Sequence, residues 1–249
     1  MKRLAVLLCV GALACAEESP SVTEALPNTL TNEEVAQGWT LLFDGVTTAG
    51  WRSYNGEGFP RQGWAVRDRT LTVIQGDESD VAVGGDLVTL GVYGSFELKF
   101  DFNVPAGGNS GILYLVQERE GEEIWWNAPE YQVLDDAAYL AMDDMDMRTH
   151  LTGENYDLHA ATARVVRPPG EWNQGRILVD GTHVEHWLNG EKMVEYELRS
   201  PDWEARVAGS KFAEYPNYGR AEAGPLGIQD HGHSVAYRNI KIRRIGETP

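Results

Sequence analysis

From Phe96 to Asn103 the chain alternates without a break: Phe96, Leu98, Phe100 and Phe102 are apolar, and Glu97, Lys99, Asp101 and Asn103 between them are polar. A period of two sends successive side chains to opposite faces, so this segment reads as a strand with one buried and one polar face. Such a strand needs paired neighbours and a second layer over its apolar side. The chain supplies both. Trp64-Ala65-Val66 and Thr70-Leu71-Thr72-Val73 flank the polar turn Arg67-Asp68-Arg69 and read as a hairpin. Further strands are expected at 110–117, 130–134, 175–179, 183–188, 193–198, 226–229 and 237–242, with Asn189-Gly190 as a type I′ turn signal between two of them. Helical patterning is confined to short stretches at 33–38 and 201–207. The eight tryptophans and the Gly- and Asn-rich turns complete the signature of an all-β, two-sheet antiparallel sandwich of jelly-roll type. No internal repeat or second domain boundary is visible.

The first 38 residues stand apart. Met1-Lys2-Arg3 precedes an apolar run over 4–14, the layout of a signal peptide, and Cys15 follows in Ala12-Leu13-Ala14-Cys15. Residues 1–14 are expected to be removed and Cys15 to carry a lipid. The Ser-, Thr-, Glu- and Pro-rich stretch after it reads as a flexible tether reaching to residue 38, with the domain at 39–249. The expected location is therefore exported, lipid-anchored in the periplasm or at the cell surface, with the membrane met only through Cys15. Both cysteines, Cys9 and Cys15, lie in the leader, which leaves the domain no disulfide and no thiol nucleophile. The net charge of −17 becomes two units more negative without Lys2 and Arg3. Phosphate backbones would repel such a chain, which argues against a nucleic-acid partner.

Strand parity nominates the functional residues. In Glu130-Tyr131-Gln132-Val133-Leu134, Tyr131 and Val133 face the core and Glu130 and Gln132 the other way. Gln229 and His231 share the face opposite Ile228. Glu185 and Trp187 oppose Val184 and Leu188, whereas His186 falls on the apolar side and reads as a core histidine. Glu97 lies on the polar face of its strand, and Asn109-Ser110-Gly111 is a Gly-rich approach to another. Amides and carboxylates bind sugar hydroxyls, and an indole covers the C–H face of a pyranose, so a carbohydrate ligand fits this set. Plain alternation toward solvent is the competing explanation for each residue alone. The acidic run 142–147 offers oxygen ligands but lacks the Gly and spacing of a calcium loop, and reads as solvated loop. Nucleophile-elbow, zinc-protease, phosphate-loop and dinucleotide motifs are absent.

A set of short motifs, in order, resembles the 3-keto-disaccharide hydrolase family. They begin with Leu42-Phe43-Asp44-Gly45, Gly50-Trp51, Gly84-Gly85-Asp86-Leu87-Val88-Thr89 and Tyr93-Gly94-Ser95-Phe96-Glu97-Leu98. Gly108-Asn109-Ser110-Gly111-Ile112 and Pro129-Glu130-Tyr131-Gln132-Val133-Leu134-Asp135-Asp136 follow. Tyr156-Asp157, Glu171-Trp172-Asn173, Val184-Glu185-His186-Trp187-Leu188-Asn189-Gly190, Ser210-Lys211-Phe212 and Ile228-Gln229-Asp230-His231-Gly232 complete the set. The resemblance implies a concanavalin A-like sandwich acting on glycosides oxidised at C3. A C3 ketone acidifies the C2 proton, so a base can remove it and the C1 substituent can leave, with water adding back. His231 or Glu130 is the candidate base, Lys211 the partner of the enolate oxygen and Glu185 the acid. Asn109, Gln132, Trp187, Gln229, Glu97 and Tyr156 are the candidate substrate contacts. A divalent cation on Glu130, Asp136 and His231 is the alternative electrophile. A non-catalytic carbohydrate-binding module on the same scaffold, a hydrolase of unoxidised glycans and a protein-binding adhesion domain are the competing functions.

Overall fold

The computed structural model describes residues 26–76, 81–142 and 147–246. Its strands form two antiparallel sheets. The larger is eight-stranded and runs, edge to edge, β11 (Glu191–Glu197), β10 (His183–Leu188), β9 (Trp172–Asp180), β6 (Phe96–Asn103), β13 (Ala236–Arg244), β4 (Thr70–Val73) and β3 (Trp64–Arg67). The short β1 (Thr40–Leu41) also pairs with β13. The smaller sheet is five-stranded, in the order β2 (Trp51–Ser53), β5 (Leu87–Thr89), β12 (Gly227–Ile228), β7 (Asn109–Leu113) and β8 (Glu130–Leu134).

The alternation of β6 does what its period requires. Phe96, Leu98, Phe100 and Phe102 are all at most 1 % exposed and belong to one core cluster with Ile112, Tyr131, Val133 and Ile228 of the smaller sheet. Phe100 meets Tyr131 edge-on, with centroids 5.3 Å apart. Its partner across the β6–β9 ladder is Gly175, where a Cβ would lie 2.2 Å from the Phe100 ring, so only glycine admits that ring. Two phenols tie the sheets together: Tyr131 donates to the Trp187 carbonyl at 3.1 Å and Tyr237 to Ser110 Oγ at 2.7 Å.

Strand ends differ from expectation where local geometry intervenes. The strand expected over 110–117 stops at Leu113, and Leu115 takes a positive φ of 54° that breaks the pleat. Both expected short helices form, as α1 (Asn32–Ala36) and α3 (Pro201–Ala208). A third, α2 (Asp136–Leu140), was not legible as a period; it exists because Asp135, directly before it, accepts the Ala138 N–H and caps it.

The expected tether is shorter than its reading. Residues 26–38 are docked on the domain: Asn28 is buried and exchanges hydrogen bonds with Asn239 (2.6 and 2.8 Å), and Glu34 of α1 pairs with Lys241. The leader with Cys9 and Cys15, and most of the acidic run 142–147, lie outside the described residues. Among the described residues no helix is long and apolar enough to cross a membrane.

Candidate active site

The outer face of the five-stranded sheet is divided in two. At one end Val88 and Leu113 join Val116, Ile124 and Ala128 in a separate apolar cluster, covered by the single turn Ile124–Trp126. Beside it the face turns polar and opens into a cleft of about 390 Å³. That is within the range of small-ligand sites. Glu130 and Gln132 reach it from β8, Asn109 from β7, Gln229 from the residue after β12 and Asp86 from the residue before β5. Register explains the grouping. Gly111 stands opposite Gln132, Gln229 extends the ladder with a 3.0 Å bond to the Gly111 carbonyl, and the inward neighbours Leu87, Ile112, Tyr131 and Ile228 fill the core.

Glu130 is a buried carboxyl of this cleft, 4 % exposed. A Cβ on Gly111 would sit 2.0 Å from Glu130 Oε1, so the side chain folds across the sheet through space that only glycine leaves. Gly111 therefore serves to seat Glu130, a role distinct from the turn or backbone approach expected of it. The Gln132 amide, turned so that its nitrogen faces acceptors, donates to Glu130 Oε1 at 3.1 Å and to the Ser110 carbonyl at 3.2 Å. Loss of water on burial raises the Glu130 pKa to about 8; Lys211 pulls it down and the charge of Asp86 pushes it up.

Lys211 opens the turn Lys211–Glu214, and its backbone N–H donates to Asp157 Oδ2 at 3.0 Å. Its ammonium lies 4.1 Å from the Tyr156 ring centroid and 4.5 Å from that of Trp125. The residue as a whole is exposed, but desolvation of its ammonium lowers its pKa against the pull of Glu130 and Asp157. His231 lines the same cleft and stacks on His233 with centroids 5.8 Å apart.

Two further groups were missed by parity. Asp230 is a clamp: Oδ2 accepts the N–H groups of Val83, Gly84 and Gly85 at 3.2, 2.9 and 3.1 Å, and Oδ1 accepts that of Gly232 at 3.0 Å. It thereby binds the motif 228–232 to the motif 84–89. Its own N–H donates to Asp86 Oδ1 at 2.9 Å. Burial and the charges of Asp230 and Glu123 raise the Asp86 pKa to about 7, against the opposing effect of that hydrogen bond. The signal was present, since Asp86 precedes the buried Leu87 and so must face outward, but two residues of parity were too few to read.

The cleft thus brings together Glu130, His231, Lys211, Asn109, Gln132, Gln229 and Tyr156. Four candidates lie elsewhere. Glu185 and Trp187 point outward too, but from β10, in the other sheet. Glu185 accepts from Trp187 Nε1 at 2.7 Å and pairs with Lys192 (3.3 Å) and Arg176 (3.7 Å), and both of those cations approach the indole. Glu97 is buried between Arg176 and Arg243, each at 2.5 Å. Asp136 is buried at the start of α2, its Oδ1 accepting the Thr152 N–H at 2.9 Å. It borders a larger and mainly apolar cavity of about 800 Å³ among Leu134, Leu140, Met147 and Leu151, away from the cleft acids. The cation set Glu130, Asp136 and His231 is accordingly not assembled. Among the described residues, the trio of ligating side chains with donor atoms within 4.8 Å of one another is His183, Glu185 and Glu195, on the opposite sheet. His186 is the core histidine its parity implies: fully buried, 2.8 Å from the Tyr114 hydroxyl and 3.2 Å from the Gly153 carbonyl, its pKa lowered to about 3 by burial.

Residues 38–243 match the family model described as a 3-keto-alpha-glucoside-1,2-lyase-like domain. The chain is 35 % identical over 233 residues to a Bacteroides thetaiotaomicron protein named 3-keto-disaccharide hydrolase, covering 84 % of this chain and 79 % of that one. A crystal structure from Parabacteroides distasonis, provisionally named a glycosyl hydrolase, superposes with a TM-score of 0.79 at 37 % identity, over 88 % of this chain and all of the other. A second from the same organism, named likewise, gives 0.57 at 28 % identity over 78 % of this chain and 99 % of its own. The chain belongs to the 3-keto-alpha-glucoside-1,2-lyase-like family, and the polar cleft of its five-stranded sheet is the candidate active site of a glycoside hydrolase-like enzyme.

Proposed function

We propose that this enzyme cleaves glycosides whose sugar carries a ketone at C3, by removing the C2 proton and expelling the C1 substituent, with water completing a net hydrolysis. The observation that supports it is the meeting, in one polar cleft, of a carboxyl shifted to about 8 with a partly desolvated lysine. The lysine ammonium is suited to hold the oxygen of a C2–C3 enolate, where negative charge develops as the proton leaves. Glu130, protonated near neutral pH, is suited to donate to the glycosidic oxygen, the role first given to Glu185. The base at C2 is His231 or a second carboxylate of the cleft. Asn109, Gln132 and Gln229 offer the paired donors and acceptors that sugar hydroxyls need, and Trp125 and Tyr156 offer ring faces. Of the residues expected to hold a cation, Glu130 and His231 line the cleft and Asp136 borders the other cavity. The family's description as a 1,2-lyase and the relative's name both support this substrate class.

The test pairs a 3-keto glucoside with its unoxidised parent, with products followed by NMR. Consumption of the keto compound alone is the expected result; turnover of the parent at a similar rate, or of neither, overturns the reading. The leader supports export with a lipid on Cys15. A Cys15→Ser variant should then leave the membrane fraction, and its retention there would sink the anchor.

A further inference from the structure

We propose that Asp86 is the base that takes the C2 proton, an assignment that rests on the elimination reading of this cleft. Its place is set by the fold. Leu87, its inward neighbour, is fully buried, so Asp86 emerges on the outer face of the sheet and lines the cleft with Glu130. Oδ1 is held by the Asp230 N–H, and among the described residues no hydrogen bond engages Oδ2. The backbone is held as well, since the Asp86 carbonyl accepts the Tyr54 N–H at 2.8 Å. Asp230 cannot share the task, because its two oxygens already take four backbone N–H groups.

Charge favours Asp86 over His231. An elimination needs one deprotonated base and one protonated acid in the same cleft at the same pH, and a carboxylate base, unlike a neutral imidazole, carries the negative charge that helps keep the acid protonated. The charge of Asp86 raises the proton affinity of Glu130, so ionising the first helps keep the second protonated. With Asp86 near 7 and Glu130 near 8, the two states coexist around neutral pH. The other charged or titratable groups of the cleft are Asp230, Glu123, Lys211, His231 and Tyr156. Burial first, and then the charges of Asp230 and Glu123, hold Asp86 above the usual carboxylate range.

The atoms balance without a co-reactant. Asp86 accepts the proton from C2, and the C–H pair becomes the enolate between C2 and C3, with its oxygen at Lys211. The enolate then collapses to form the C1–C2 double bond, the C1–O pair leaves with the aglycone oxygen, and Glu130 protonates that oxygen. The products are the 1,2-unsaturated 3-ketone and the free alcohol. Solvent returns a proton to Glu130 and removes one from Asp86.

The experiment compares wild type with Asp86→Asn on a 3-keto glucoside in D2O, measuring turnover and deuterium uptake at C2. Asn keeps the acceptor for the Asp230 N–H but is no base. Expected are a fall in kcat of about 100-fold or more with KM little changed, loss of C2 exchange and loss of the acid limb of the pH profile. Asp86→Ala should recover part of its activity in added formate, which a purely structural role would not allow. Retained C2 exchange in Asp86→Asn, or its loss in His231→Ala but not in Asp86→Asn, overturns the assignment while the elimination stands. Wild-type protein inert toward the keto substrate instead overturns the reading of the cleft itself.

Discussion

At the scale of single residues, the cleft depends on a carboxyl held where water is scarce. Glu130 lies folded over Gly111, and its proton is retained to about pH 8 because burial penalises the anion. The stability contributed by that retained proton is complete below the usual carboxylate value of 4.5, and is lost as pH rises through about 8. Glu130→Gln, a permanent mimic of the protonated form, should therefore melt close to wild type at pH 4.5 and about 5 °C higher at pH 8.5. The same variant should lose about 100-fold or more in kcat, since an amide cannot donate the proton. Calorimetry across that pH range and steady-state rates check the two halves. Gly111→Ala tests the seat: its Cβ would displace the carboxyl, so kcat should fall at least about tenfold while circular dichroism stays unchanged. The face that Glu130 occupies was legible from Tyr131 and Val133. The need for glycine at 111 was not, because that contact crosses from one strand to the next.

At the scale of elements, the cleft is a junction of loops tied to strand ends. Asp230 binds the turn after β12 to the segment before β5 through backbone donors alone. Asp230→Ala should leave those N–H groups without their carboxylate partner and cost about 1–3 kcal/mol in urea denaturation. Amide exchange should rise at Val83, Gly84 and Gly85 and not in β6, and protection unchanged at those amides would count against the clamp. The strands themselves were readable from period and turn chemistry, hairpin included. The short helix α2 and the turn Ile124–Trp126 were not, because each is stabilised by a cap or a covered apolar patch and not by a run of helical period.

At the scale of the whole molecule, two sheets share one core, and each carries polar side chains on part of its outer face. Phe100 sits at the middle of that core against Tyr131 and Gly175. Phe100→Ala should cost about 3–5 kcal/mol, seen as a lower denaturant midpoint, and a loss below about 1 kcal/mol would mean the sheets are not locked there. What the amino-acid order determined by itself was the class of fold and the inward or outward sense of most strand residues, because period two is a local property of the pleat. What only the tertiary structure decided was which outward residues meet. Glu130 and Glu185 both point away from the core on their strands, yet they leave the molecule through different sheets. Asp86, Lys211 and His231 join Glu130 although they lie far from it along the chain, since sheet order and loop closure are set by packing between distant segments. Parity names a face; only the order of strands says whose face it is.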